Sequence, residues 1–408
     1  MLFCAYIAHN REKLKTLGVT VMIKTITAYT GEIDFVEEAV NEIAQQLDLA
    51  NSLMKNSVGI ITCFAEFIDS GVVAAICELL PFDAIGMTCL AAATNGTAEQ
   101  TVLTVSVLTS DDVNFAASVS RPFDSGFKPQ ITDVYAEAEA KLGEKPKLVV
   151  AILPLTMDFA GDDLVFELDR VSGGIPIFGT LTGDHTMDYH LSQTIYNGES
   201  DKRTMAIIAV SGNIEPEYRI AAMPLGAMTK QQLVITKSQG SVLMEVNGRP
   251  LSDFYESVGL TKSIEQGGYN ALPFAIDFND GTVPVARGII ATTPEGYAIC
   301  AGLMPEGATL MMGRLEKEDV IKTSRSLAKE LAAGSALEGK AALMFSCLGR
   351  NNVLGADLLA ELEAVETELS AAMPFSLSYS GGEICPVGSA DGTLKNRFHN
   401  ESIIACIF

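Results

Sequence analysis

The chain has 408 residues, of which 48% are hydrophobic and 19% charged. These values are typical of a compact globular protein of about two or three domains and exclude a disordered chain. Asp and Glu number 51 against 28 Lys and Arg, which gives a formal net charge of -23. Because so acidic a surface repels phosphate backbones and anionic lipids, we expect no nucleic-acid partner and no membrane insertion.

The apolar segments are short and the cysteines are scattered. The longest apolar runs have about eight residues, such as 148–155, whereas a membrane-spanning helix needs about twenty. The eight cysteines form no CxxC pair and lie mostly within apolar runs, as small buried side chains do in a reducing compartment. We therefore predict a cytoplasmic protein without structural zinc.

The chain begins with residues 1–21, which we treat as an N-terminal extension. Their short apolar start precedes the basic residues, the reverse of the order in a secretory signal. The alternation over 22–29 predicts a strand. Apolar residues at helical spacing from Val36 to Leu47 then predict a helix with one buried face.

Three later stretches repeat one plan: a buried strand, a helix with a single apolar stripe, a return strand and a final strand. Their first strands are 58–63, 149–155 and 341–347, and their stripes fall within 72–80, 164–171 and 358–369. Strands joined through a helix should run parallel, with the last strand of each unit antiparallel. The sequence thus predicts an α/β fold of tandem strand–helix–strand–strand units that form mixed sheets.

A stretch with a different sequence pattern, about 225–335, separates the second unit from the third. It contains Asn247-Gly248 and two Pro-Glu-Gly turns between short apolar segments. Such turns are typical of hairpins, so we predict an antiparallel β-rich insert, followed by a connecting helix over 315–331.

Several of these stretches resemble, in order, motifs of the FIST family. Residues 83–89 resemble its Gly-Cys-Thr-Thr return strand and 177–184 its second glycine-rich turn. The opening of its C-terminal half is similar to 235–240 and 247–250, and its closing motifs to 346–350, 382–384 and 396–400. The ordered set, which spans nearly the whole chain, implies a FIST N-terminal domain at 22–215 and a FIST C-terminal domain at 220–408.

This resemblance implies a sensory module of signal transduction that binds a small molecule, with an amino acid or a related metabolite as the proposed ligand. The output segments that accompany FIST domains (kinase, cyclase, chemotaxis or F-box segments) do not occur in this chain. We therefore expect either a free-standing sensor or one that acts through a separate signalling output protein.

The third unit carries polar residues suited to holding an amino acid. Arg350 can bind a carboxylate with two parallel hydrogen bonds, and Glu383 can pair with an ammonium group. Both follow strand ends, where α/β sheets place their binding sites. The alternative is that the two form an ion pair that joins two loops. The predicted ligand-binding residues are Arg350, Glu383, Tyr379, Gly382, Cys347, His399, Asn400, Thr182 and Asp184.

Two parts of this set have a structural alternative. Residues 396–400 can instead form a tight turn in which the Asn side chains bond their own backbone. Thr182 and Asp184 occupy the equivalent turn of the second unit, where they line a second pocket or only shape a loop.

Enzymatic function is the main alternative to sensing. Cys347 with His399 makes a nucleophile pair conceivable for a thiol hydrolase or transferase, although a cysteine inside an apolar run is more typically buried and inert. The histidine and aspartate residues of 184–190 lack a metal-binding spacing, and neither a P-loop nor a GxGxxG sequence is present. We predict a non-enzymatic protein without cofactor or metal; an interaction scaffold is the third hypothesis.

Overall fold

The computed structural model describes residues 23–124, 126–156, 158–186, 188–265, 268–334 and 340–408. The predicted extension at 1–21 lies outside them. Within these residues the chain forms three mixed sheets of six strands each and one antiparallel sheet of eight strands. We call the mixed sheets 1, 2 and 3 after the unit that builds each of them, and the antiparallel one sheet 4.

The first unit and the hairpins that flank it come first in the chain. Its elements are β1 (Lys24–Thr30), α1 (Val36–Leu47), α2 (Leu49–Ser52), β2 (Asn56–Cys63), α3 (Glu66–Asp69), α4 (Val72–Leu79), β3 (Ala84–Thr88), β4 (Ala92–Thr94), β5 (Thr97–Glu99), β6 (Leu103–Ser110) and β7 (Val113–Val119). The stripe residues Val72, Val73 and Ile76 of α4 are buried against sheet 1, as the spacing predicts.

The second unit follows. Its elements are α5 (Lys128–Leu142), β8 (Leu148–Leu153), α6 (Gly161–Ser172), β9 (Ile177–Leu181), β10 (Thr194–Tyr196), β11 (Glu199–Asp201), β12 (Ala206–Gly212) and β13 (Glu217–Ala221). All six residues of β8 are buried, which explains why this strand is a continuous apolar run.

The insert and the third unit complete the chain. The insert contains β14 (Leu233–Gln239), β15 (Val242–Val246), β16 (Arg249–Pro250), α7 (Leu251–Ser257), α8 (Thr261–Glu265), β17 (Phe274–Asp277), β18 (Val285–Arg287), β19 (Ile289–Thr292), β20 (Ala298–Cys300) and β21 (Thr309–Met312), with short 3-10 turns at Leu225–Ala227 and Gly268–Ala271. The remaining elements are α9 (Lys317–Ala333), β22 (Ala342–Cys347), α10 (Leu348–Leu354), α11 (Ala360–Leu369), β23 (Phe375–Ser380), β24 (Glu383–Gly388), β25 (Leu394–His399) and β26 (Ile403–Ile407).

The predicted topology of the units is confirmed. In each unit the strands on either side of the helical segment are parallel: β2 with β3, β8 with β9, and β22 with β23. The final strands β6, β12 and β26 each pair antiparallel with the first strand of their own unit. The insert is antiparallel and α9 follows it, also as predicted.

The units exchange hairpins, which the sequence did not indicate. Hairpin β10–β11 of the second unit joins sheet 1 beside β3, β24–β25 of the third joins sheet 2 beside β9, and β4–β5 of the first joins sheet 3 beside β23. A strand of three residues, such as β10 or β4, has no sequence pattern that selects its partner. The exchange places the ends of β24 and β25 against the second unit.

The three mixed sheets share a central core and carry helices on their other faces. Ile60, Ile208 and Phe345, from sheets 1, 2 and 3, belong to one buried apolar cluster. Separate clusters join α1 and α4 to sheet 1, α5 and α6 to sheet 2, and α9 and α11 to sheet 3.

A buried ion pair fixes the insert over the other units. Arg287, at the end of β18, donates from Nη2 to Oδ1 of Asp162 at 2.6 Å, and both side chains are fully buried. Nη1 of Arg287 also donates to the carbonyl oxygen of Phe398 at 2.7 Å. Asp162 accepts a further bond from the backbone N–H of Leu303. The insert, α6 and β25 therefore meet around this pair.

Candidate functional site

Arg350 is a structural residue of the third unit in this fold. We predicted it just past a strand end, facing a ligand, but β22 runs directly into α10, so Arg350 lies on a helix and is fully buried. Its Nε and Nη2 donate to Oε1 of Glu361 at 2.9 and 2.7 Å, and Nη2 also contacts Ser324 Oγ at 2.7 Å. Ser346 donates to the second oxygen of Glu361. The two parallel bonds that we assigned to a ligand carboxylate are therefore not available.

Glu383 is also buried, and its partners are serines. Its carboxylate accepts bonds from Ser402 Oγ at 2.7 Å and from Ser380 Oγ at 3.2 Å. Burial raises the pKa of Glu383 well above its usual range, against the opposing effect of these bonds and of Arg350. Neither the expected shared crevice nor the alternative ion pair with Arg350 is observed.

Three other predicted residues support the backbone around β23–β25. Tyr379 is fully buried in the core of sheet 3. The carbonyl oxygen of Gly382 accepts bonds from Thr180 Oγ1 and the N–H of Leu181, both at 2.9 Å. His399 donates from Nε2 to the carbonyl oxygen of Cys385 at 3.2 Å, and burial lowers its pKa to about 3. His399 ends strand β25, so the tight turn we considered at 396–400 is not formed.

Thr182 and Asp184 shape a loop instead of lining a pocket. Thr182 Oγ1 accepts a bond from the N–H of Leu155 at 2.9 Å. Asp184 is fully buried and accepts bonds from the N–H of Thr186 at 2.5 Å and from Ser192 Oγ at 2.8 Å. These bonds hold the loop after β9, which itself forms part of the cavity described next.

A cavity of about 250 Å³ lies where the second unit, the insert and the third unit meet. The second unit contributes the segment after β8, the first residues of α6 and the loop after β9. The insert contributes 288–290 and 299–301, and the third unit contributes 347–349 and the residues after β25. Asp188 and Ile290, whose side chains are exposed, mark the mouth. Of the nine predicted residues, Cys347 and Asn400 line this cavity.

The polar side chains at the base of the cavity are incompletely bonded. Asn400 is 1% exposed, and neither its amide nitrogen nor its amide oxygen has a hydrogen-bond partner. Glu401 is 3% exposed, and its Oε2 also has no partner. Leaving a buried polar group unpaired costs about 1–3 kcal/mol, so native proteins do this rarely and mostly for a reason.

Glycines make room for the Glu401 carboxylate. A Cβ on Gly349 would collide with that carboxylate, and a Cβ on Gly288 would lie 2.9 Å from its Oε1. Both glycines line the cavity. Glu401 also has a backbone φ of 50°, and Tyr189, another lining residue, has a φ of 54°. Residues other than glycine adopt this left-handed region at a cost, and such residues cluster at functional sites.

The environment of Glu401 favours its protonated form. Burial raises its pKa to about 8; the nearby Arg350 opposes this rise and Glu361 adds to it. Burial likewise raises the pKa of the Cys347 thiol well above its usual range, with Glu383 and Glu401 adding to the effect. The thiol therefore faces the cavity in its less reactive, protonated form.

A second depression, of about 580 Å³, lies between β1, the β4–β5 hairpin and Leu359. None of its lining side chains is among the buried polar groups without a partner in the described residues. Nor do those residues contain a group of three or more His, Cys, Asp or Glu side chains arranged to hold a metal ion. The smaller cavity is therefore our candidate site.

Sequence reasoning missed Glu401, Tyr189 and the whole contribution of the insert. Glu401 directly follows the predicted residue Asn400 and precedes the apolar strand β26, so a charged residue at that border was a usable signal. The insert had no such signal, because Gly288 and Ile289 join the site through tertiary packing alone.

Comparison with known proteins identifies the class of this module. The FIST N domain matches residues 57–249 and the FIST C domain matches residues 253–386. The chain belongs to the FIST family. FIST domains are associated with sensory signal transduction and with the binding of small ligands.

Other comparisons add little. No curated protein matches the sequence. A crystal structure of cyanuric acid hydrolase from A. caulinodans aligns over 95% of this chain and 99% of its own, with 8% identity and a TM-score of 0.37. That likeness is too remote to inform on activity. Among the residues that the structure describes, none of the helices has both the length and the apolar character needed to cross a bilayer.

Proposed function

We propose that this protein is a cytoplasmic sensor that binds an amino acid or a closely related metabolite in the cavity between its second unit, insert and third unit. The observation that carries the proposal is Asn400, a buried amide with two unpaired hydrogen-bonding atoms on the cavity wall. A polar ligand that bonds this amide recovers the free energy that its burial costs.

The size and walls of the cavity support a small ligand. Its volume of about 250 Å³ is below the range of roughly 300–1,000 Å³ that is common for drug-sized molecules. Polar groups occupy the base, and apolar residues such as Leu155, Phe159 and Ile299 occupy the sides. The amino end of α6 also faces the cavity at Ala160 and Gly161, without a side-chain cap, and would favour a ligand carboxylate.

Because three parts of the chain line the cavity, we propose that ligand binding changes how they close on one another. A ligand in the cavity contacts the loop after β9, the insert and the β22–α10 junction together, so it favours the arrangement in which these parts are closed around it. We propose that a separate output protein senses this closure. The reducing cytoplasm is supported by the seven cysteines of the described chain, all of which are unpaired.

A ligand screen tests the proposal. Thermal unfolding in the presence of each of the twenty amino acids should show a raised midpoint with at least one of them, because a ligand that binds only the folded state stabilises it. Line broadening of the same amino acid in ligand-observed NMR should accompany the shift. The absence of any response across the panel would contradict the proposal.

A thiol enzyme is the second candidate, because Cys347 lines the cavity. Two features weigh against it: the raised pKa of the thiol and the position of His399, which bonds Cys385 and does not line the cavity. Alkylation with iodoacetamide at pH 7 followed by peptide mapping tests this candidate. We expect half-buried Cys77 to react before Cys347. Fast and selective labelling of Cys347 would instead support the thiol enzyme.

A further inference from the structure

Glu401 lies among carboxyl groups and has no bonded cation. Three buried carboxyl groups influence one another here, those of Glu361, Glu383 and Glu401. Among the described residues, Arg350 is the cation that acts on Glu401; its Nε and Nη2 bond Glu361, and its Nη1 has no hydrogen-bond partner. No lysine, arginine or histidine of the described chain lines the cavity. A ligand cation is therefore the group that would allow the largely protonated Glu401 to ionise and pair.

Two of the unpaired atoms match the donors of an ammonium group. Oε2 of Glu401 and the amide oxygen of Asn400 are acceptors without donors, from adjacent residues of the same segment, whereas the amide nitrogen of Asn400 is a donor without an acceptor. A primary ammonium has three N–H donors and no acceptor. The rest of the lining includes the apolar residues Ile289, Ile290 and Phe159 beside a few polar ones, so a compact hydrocarbon fits beside the charged group.

We infer that Glu401 and Asn400 form a recognition site for the primary ammonium of a small amine or amino acid with a compact apolar side chain. This inference rests on the proposed function and names the chemistry of its ligand. The carboxylate of an amino acid is secondary in this scheme, since the side chains of the base present no cation to it.

Binding releases a proton. In the empty site Glu401 is largely protonated at neutral pH. When an ammonium group docks, the carboxyl proton passes to solvent and the resulting carboxylate pairs with the ligand, so that charge and protons balance. The groups that act on Glu401 from the neighbouring elements are Arg350, Glu361, Glu383, Cys347 and Tyr189. On the insert side, Arg287 next to Gly288 is already paired with Asp162.

Three related probes separate the two ends of the ligand. L-Leucine carries both charged groups, 3-methylbutylamine keeps only the ammonium, and N-acetyl-L-leucine keeps only the carboxylate. In calorimetric titrations of the full chain at pH 7.5, we expect the first two to bind and the third to bind about a hundredfold more weakly. Titrations in phosphate and in Tris should differ in heat by an amount that corresponds to up to one released proton.

The pH dependence of affinity, measured in the wild type and in variants, tests the role of Glu401. Between pH 6 and 8 the affinity for 3-methylbutylamine should rise toward tenfold per pH unit, because a proton leaves on binding. Glu401→Gln imitates the protonated carboxyl and should abolish both this slope and the heat difference. Glu363→Gln, which makes the same change at an exposed glutamate of the third unit outside the lining, should retain them.

Each result is decisive for one of the two claims. Equal binding of N-acetyl-L-leucine and L-leucine, or an unchanged pH slope in Glu401→Gln, would overturn the ammonium site and leave the proposed sensor standing. Failure of all three probes would also overturn the ammonium site. Failure of the complete amino-acid panel would overturn the proposed function itself.

Discussion

Arg350 and Asn400 belong to the same unit and are both buried, yet their surroundings differ in kind. Two nitrogens of Arg350 bond Glu361, and Ser324 and Ser346 join that network; only Nη1 of Arg350 lacks a partner. Asn400 has no partner for either amide atom. The comparison teaches that a charged residue near a strand end is not thereby a ligand site. Bonded polar groups hold the third unit together, whereas unbonded groups at a cavity are available to a ligand.

Removing Arg350 should have the largest effect on stability. Arg350→Met leaves Glu361 buried without its cation, and we expect a loss of about 3–5 kcal/mol in the free energy of unfolding. Urea unfolding at pH 7 measures it. The double variant Arg350→Met with Glu361→Leu should recover most of the loss, since no charge then remains unpaired. A single variant as stable as the wild type would contradict the structural role of this pair.

The pH dependence of stability should reveal Glu401. Its pKa is about 8 in the folded chain. An unfolded glutamate has a pKa of about 4.3, so between these values the folded state holds a proton that the unfolded state has lost. The contribution of Glu401 is complete below about pH 4.5 and is lost as pH rises toward 8, on the order of 3 kcal/mol between pH 5 and 8.

Urea unfolding at several pH values, compared with Glu401→Gln, isolates this contribution. The stability of the variant relative to the wild type should increase steadily across the window. Parallel pH profiles for the two proteins would show that Glu401 has an ordinary pKa.

Two asparagines four residues apart allow a matched comparison of bonded and unbonded amides. The side chain of Asn396 donates to Asp169 and to the carbonyl oxygen of Ile175, and it accepts a bond from the N–H of Ile177. Asn396→Leu should lower the free energy of unfolding by about 2–3 kcal/mol, because its partners lose their hydrogen bonds. Asn400→Leu should raise the free energy of unfolding slightly, by less than about 1 kcal/mol, because it removes polar atoms that have no partner. Equal losses of stability in the two variants, measured by thermal and urea unfolding, would show that the bonded and the unbonded amide do not differ.

A methyl group at Gly349 should cost less stability than the changes at Arg350 and Asn396. Gly349→Ala forces a Cβ against the Glu401 carboxylate, and we expect a loss of about 1–2 kcal/mol together with weaker ligand binding. Gly226→Ala is the control, since nothing lies within 4 Å of the added atom. Calorimetric unfolding of both variants should separate them; identical midpoints would mean that the carboxylate moves aside freely.

The sequence predicted the units because their helical stripes report burial directly: Val72 and Leu164 lie against their sheets. It did not predict where Arg350 points, since nothing local distinguishes an open turn from a helix that begins at the strand end. Pairing of Glu361 with Arg350 and exchange of hairpins depend on contacts between distant segments. Asn400 was found from its motif. Glu401 directly follows it at the border of an apolar strand, but its positive φ and its packing beside the insert depend on tertiary structure.

The most direct test of the account is calorimetric titration of an amino acid from the screen into two variants, Asn400→Leu and the double variant Arg350→Met with Glu361→Leu. We predict that Asn400→Leu stays folded and loses binding, while the double variant keeps binding because its altered pair does not line the cavity. Retained binding in Asn400→Leu together with loss in the double variant would contradict the account and return the site to Arg350.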